Sequence, residues 1–150
     1  MSLRRVFVMK LKALAKKQGD KMKKEILKEI ADILIERAGA VFAFFADHSE
    51  SEGIYDVSFF SDIEIDDYTL RAIEADIEAL LEYPTEVSNL KECDTAFAQT
   101  ILEDAKTLYC ANESEKRRFL AGLAREAELS KIKREILLAR IRESGVTYEH

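Results

Sequence analysis

ILKEIADILIERAGAVFAFFA, residues Ile26 to Ala46, is the stretch on which the fold turns. Its first half places Ile26, Leu27, Ile30, Ile33 and Leu34 at the i, i+3/i+4, i+7/i+8 spacing of an amphipathic helix. From Ala38 onward no polar face remains. The spacing therefore predicts one helix that starts at the surface and runs into the middle of a bundle. Within it Gly39 would be a flat spot for a crossing helix, at about 1 kcal/mol against alanine.

Outward from this spine the signals are mostly helical. Five Gly, one Pro and no Trp in 150 residues suggest long helices with short joints. The expected architecture is an all-α, single-domain bundle of five to seven helices spanning 1–150, around a buried central helix at about 21–46. Residues 1–18 form a basic amphipathic helix in this scheme, with Leu3, Val6, Phe7, Leu11 and Leu14 on one side. Residues 47–66, DHSESEGIYDVSFFSDIEID, are the exception: Tyr55, Val57 and Phe59 alternate, as do Ile63 and Ile65, so a short hairpin or a long loop is expected there. Asp66 or Asp67 would then cap a helix from Tyr68 to Glu82, ended by Tyr83-Pro84. A further helix is predicted from Ser88 or Asp94 to Cys110, with Leu90, Phe97, Ile101 and Leu108 inward. Asn112 with Glu115 resembles a capping pair. Ser130 is expected to start the last helix, burying Ile132, Ile136, Leu137 and Ile141, with Gly145 as its stop.

Charge is strongly segregated. Residues 1–24 carry nine basic groups against Asp20 alone, whereas Asp47 to Glu86 holds thirteen acids against Arg71. Lys116 to Arg142 is basic again. The longest apolar run, Ala38 to Ala46, is about half of a membrane span. Cys93 and Cys110 show no CxxC spacing, and no signal peptide precedes them, so a reduced, cytoplasmic setting is expected with both thiols as core-filling groups.

These patterns weaken several functions. There is no Walker loop and no GxGxxG, and His48 is the one histidine outside the terminus, so no catalytic constellation is found and no enzyme is expected. A pI near 5 counts against nucleic acid. The candidate metal ligands are Asp47, His48, Glu50, Glu52 and Asp56, an oxygen-rich cluster that suits a divalent cation such as calcium or magnesium. Asp62, Glu64 and Asp66 begin like a calcium loop, but Asp67 stands where the EF-hand has glycine and Ile73 where it has glutamate. Glu74, Glu78 and Glu82 line up at i, i+4, i+8 without partner histidines, as a solvent-facing row. The leading expectation is a non-enzymatic interaction or adaptor domain, self-associating or binding a protein partner. Arg4, Arg5, Lys10, Lys12, Lys16 and Lys17 would meet Asp62, Glu64 and Asp66 within or between chains. Residues 1–18 could also lie on an anionic membrane.

The segments Leu102–Ala111, Glu115–Leu129, Ser130 and Ile132–Ile141 fall in the order of the closing helices of the TerB-like (tellurite-resistance) domain, which the C-terminal third resembles. Phe44-Phe45-Ala46-Asp47, followed by Ser49, Glu50, Ser51 and Glu52, is similar to that family's first acidic turn, with His48 at its glycine. The resemblance implies an all-helical, metal-binding stress-response protein, in which Asp47, Glu50 and Glu52 take the ligand role.

Overall fold

The computed structural model describes residues 23–144, and it is not an all-α bundle. A four-stranded sheet lies at its centre. The elements are α1 (23–38), β1 (Ala40–His48), β2 (Ile54–Ser61), α2 (Asp67–Leu81), β3 (Thr85–Asn89), a single 3₁₀ turn (Leu90–Glu92), α3 (Thr95–Leu102), β4 (Lys106–Cys110) and α4 (Glu113–Ser144). The strand order is β3-β2-β1-β4. β1 pairs antiparallel with β2 and β4, and β3 runs parallel to β2 after the α2 crossover.

The expected 21–46 helix breaks at Gly39. That residue has φ +61°, and its N–H donates to the Ile35 carbonyl at 3.1 Å, the left-handed ending that glycine permits. Beyond it, AVFAFFADH is β1, buried on both faces. One face, with Ala43 and Phe45, joins Val57, Phe59 and Val87 beneath Ile30 and Leu34 of α1 and Ile73 and Ile77 of α2. The other, with Phe42 and Phe44, packs under Ala98 and Ile101 of α3, with Phe60, Phe119 and Leu123 alongside. A strand covered on both sides shows no polar alternation, so its sequence looks like a buried helix.

Two side-chain devices lock the sheet. Ser61, fully buried, donates to the Ala38 carbonyl at 2.6 Å and accepts from Ile63 N–H at 3.1 Å, tying the end of α1 to the end of β2. Glu74 and Glu78 of α2 do not simply face water. Their carboxylates accept from Val87 N–H at 2.9 Å and Thr85 N–H at 3.0 Å, capping β3, an outer strand of the sheet.

Some boundaries agree with expectation and others differ. Asp66 caps α2 through Thr69 N–H, and Glu82 ends it in the left-handed region. The predicted Ser88–Cys110 helix is instead β3, the 3₁₀ turn, α3 capped by Asp94, and β4. Asn112 accepts from Glu115 N–H at 3.0 Å. Ser130 starts nothing: it lies inside α4, 32 residues long, where Ile132, Ile136 and Leu137 are exposed rather than buried. The 1–18 helix and the Gly145 stop lie outside the described residues.

Candidate functional site

The site sits where the β1–β2 hairpin leaves the cover of α3 and α4. His48 pairs in register with Ile54, and Ala46 with Asp56, so His48 and Asp56 are diagonal neighbours on one face. The turn between them is closed by Glu52 N–H donating to the His48 carbonyl at 2.8 Å, with Gly53 at φ +70°. That turn returns Glu52 over the pair. One ligand atom each from His48, Glu52 and Asp56 lies within 4.8 Å of the others.

His48 is held at both nitrogens. Its Nδ1 contacts Asp56 Oδ2, and its Nε2 lies 3.3 Å from the Glu103 carbonyl. The hydrogen bond to Asp56 raises the imidazole pKa against the opposing effect of burial. Asp56 is buried, and that desolvation raises its own pKa despite the His48 contact. Glu86 lies opposite Asp56 in the β2–β3 register. Glu86 is exposed, yet partial desolvation and then Asp56 and other nearby carboxylates raise its pKa as well.

The donor set fits a divalent cation. Two carboxylates and one imidazole suit manganese, magnesium or zinc. The Glu103 carbonyl can hold the Nε2–H, which leaves Nδ1 as the ligating nitrogen, the usual outer support of a metal-bound histidine. A cation there would replace the hydrogen bond between His48 and Asp56.

Of the expected ligand cluster, the fold gathers His48, Glu52 and Asp56 and separates the rest. Asp47 points to the opposite sheet face, across from Tyr55, and accepts from the Ser49 hydroxyl at 2.5 Å and from Ser49 N–H at 3.0 Å, which lowers its pKa. Glu50 is exposed in the turn. Among the proposed partner-binding residues, Asp62 and Glu64 are exposed beside Ile63, and Asp66 is the α2 cap. Arg4, Arg5, Lys10, Lys12, Lys16 and Lys17 lie outside the described residues. Glu86 and the Glu103 carbonyl were not foreseen. The Thr85/Val87/Asn89 alternation was the available signal for a strand that would present Glu86.

The architecture is thus a small mixed α/β fold with a carboxylate-rich turn joining its two central strands. No family model matches the chain, and no curated protein matches it in sequence. Solved structures do. A chain of the toxin-antitoxin MntA-HepT has TM-score 0.64 at 11% identity, covering 78% of this chain and 97% of that one. A chain of the tri-AMPylated Shewanella oneidensis HEPN toxin in complex with MNT antitoxin matches with TM-score 0.64 at 11% identity, over 78% and 96%. A third, from the toxin-antitoxin with AMP-PNP, has TM-score 0.63 at 12% identity, over 77% and 98%.

These likenesses correct the expectations that rested on an all-helical chain. The TerB-like resemblance falls, because the Leu102–Ala111 segment that carried it is largely a loop and strand, and Phe44–Asp47 is strand. With it falls the TerB-like stress-response role. The non-enzymatic adaptor also falls: the fold is shared with chains of complexes described by AMPylation and AMP-PNP, and the expectation of no enzyme goes with it. Among the described residues, no helix is long and apolar enough to cross a membrane.

Proposed function

We propose that this chain is a nucleotidyl-transfer enzyme that modifies a protein partner at the open end of the β1–β2 hairpin. The supporting observation is the His48, Glu52 and Asp56 cluster, with the Glu103 carbonyl behind the imidazole. It stands in a fold shared with chains of a nucleotide-bound complex and an AMPylated one. In such a transfer a partner hydroxyl oxygen attacks the α-phosphorus of a nucleoside triphosphate. The bond to the bridging oxygen breaks, pyrophosphate leaves, and the hydroxyl proton passes to a base. A bound divalent cation supplies charge neutralisation and orientation of the triphosphate. His48, Glu52 and Asp56 would hold it. Glu86, across from Asp56 in the strand register, is the carboxylate placed to accept the proton.

Fluorescent ATP analogue binding with and without manganese or magnesium tests the proposal. Binding should require the metal and be lost in Asp56→Asn, and ATP labelled at its α-phosphate should pass label to protein. Nucleotide that fails to bind with either cation overturns it.

A further inference from the structure

The connection from α3 to β4 holds a side chain in a backbone conformation it rarely enters. Asp104 has φ +59°. Before it, Glu103 has φ −60° and ψ 123°, and Ala105 N–H donates to the Leu102 carbonyl at 3.0 Å. Leu102 to Ala105 is therefore a type II turn, whose third residue needs a positive φ and is by preference glycine or asparagine. Aspartate reaches that region only occasionally.

The third residue decides where the Glu103 carbonyl points. Types I and II share their corners and differ by about a half-turn of the central peptide. In the type II form that peptide sends the Glu103 carbonyl to within 3.3 Å of His48 Nε2. The type I form would turn the carbonyl away and bring the Asp104 N–H to that side. A carbonyl accepts from Nε2–H and leaves Nδ1 to ligate. An N–H instead needs Nε2 as its acceptor, which places the ring proton on Nδ1, beside Asp56. The corners of the turn are pinned, since Leu102 and Ala105 both pack against the Phe42 and Phe44 side of the sheet. Glu103 and Asp104 are exposed, so the central peptide is set by its own dihedrals rather than by packing.

We propose that Asp104 is a positioning residue: its left-handed backbone holds the Glu103 carbonyl on His48 Nε2 and so keeps Nδ1 as the ligating nitrogen of the His48, Glu52 and Asp56 site. The proposal rests on the assignment of a divalent cation to that site and on no step of the transfer. The Asp104 carboxylate plays no part in it. Glycine, which takes a positive φ freely, therefore suits position 104 best, and a β-branched residue suits it worst.

Calorimetric titration of the full chain with zinc, without nucleotide, tests this in wild type, Asp104→Gly, Asp104→Val and the milder Asp104→Ala. Affinity should follow the ease of a positive φ, with Asp104→Gly highest, wild type next and Asp104→Val lowest. The two extremes should differ by about 10–100-fold, the range for losing the outer partner of a metal-bound histidine. Position 104 is exposed, so circular dichroism should show all three variants folded; Asp104→Ala carries the comparison where Asp104→Val does not fold. Nuclear magnetic resonance of isotope-labelled histidine nitrogens in the zinc-loaded chain should show His48 protonated at Nε2 and metal-bound at Nδ1, in wild type and in Asp104→Gly. The His150 signal is the one that survives in His48→Gln. Equal affinity of Asp104→Gly with Asp104→Val and Asp104→Ala, whether high or low, or zinc on Nε2 in wild type, overturns the proposal and leaves the cation site standing. Zinc that fails to bind wild type overturns the cation site as well.

Discussion

Replacing Asp56 by asparagine separates a metal ligand from a structural carboxylate. Asparagine keeps the size and one acceptor oxygen, so the contact to His48 survives in a weaker, uncharged form. Losing the charged character costs about 1 kcal/mol. Removing a carboxylate whose burial raises its pKa offsets that loss, so the metal-free melting temperature should move by only a few degrees. The metal-bound state behaves differently. Manganese at a hundredfold over its dissociation constant stabilises the wild type by about 2.7 kcal/mol. At roughly 2–8 °C per kcal/mol for domains bracketing this size, the rise is about 5 °C or more. In Asp56→Asn the same manganese concentration should leave the melting curve in place. Thermal unfolding followed by circular dichroism, with chelator and with metal, reads both quantities. Equal manganese shifts in the two proteins, or no shift in the wild type with manganese, magnesium or zinc, refute the assignment of the three residues to a cation.

The same pair gives a pH signature. The folded pKa of His48 is raised by Asp56, so the pair's contribution is fully present below the unfolded imidazole value of about 6.5 and is lost as pH rises through the folded value. The melting-temperature gap between wild type and His48→Gln should therefore narrow with rising pH, and one that widens contradicts the ion pair. Phe42→Ala should cost about 3–5 kcal/mol by urea denaturation, because Phe42 is fully buried, stacked on Phe60 at 5.0 Å and packed on Phe44 and Phe119. A loss under about 1 kcal/mol would mean that the α4 side of the sheet is not a true core. Gly39→Ala forces alanine into φ +61° with its Cβ against Ile63. The conformational part alone is about 1–2 kcal/mol, and an unchanged denaturation midpoint would deny the helix-to-strand break its need for glycine.

Local chemistry was legible in the sequence wherever a short-range signal was strong. Asp66 as a cap and Asn112 with Glu115 follow from groups that bond to their own neighbours, and the α2 stop at Tyr83-Pro84 from the backbone restriction before proline. The Tyr55/Val57/Phe59 alternation pointed to a strand, but its hairpin partner is β1 and not the Ile63/Ile65 stretch. The central strand was not legible, because β1 is apolar on both faces and the difference between helix and strand lies in partners far along the chain. Gly39 held the decisive information, but only its left-handed φ distinguishes a stop from a close-packing spot. The half of α4 beyond Ser130 misled for the opposite reason. Its leucines and isoleucines have the pattern of a core-facing helix, yet the domain supplies no core to meet them. At the site, the hairpin residues His48, Glu52 and Asp56 belonged to a segment whose acidic cluster was visible in the sequence. That Asp47 faces the other way required knowing that the segment was a strand, where adjacent residues oppose.

The carboxylates of Glu74 and Glu78 have a consequence for how this molecule meets others. A sheet grows by offering N–H groups at its border to a passing strand, and here two of those groups on β3 are already occupied from above. The stopper consists of side chains borrowed from the crossover helix, so it is independent of the hydrophobic interior. Recruitment by strand addition is thereby discouraged along β3, and an incoming protein is directed toward surfaces elsewhere on the molecule.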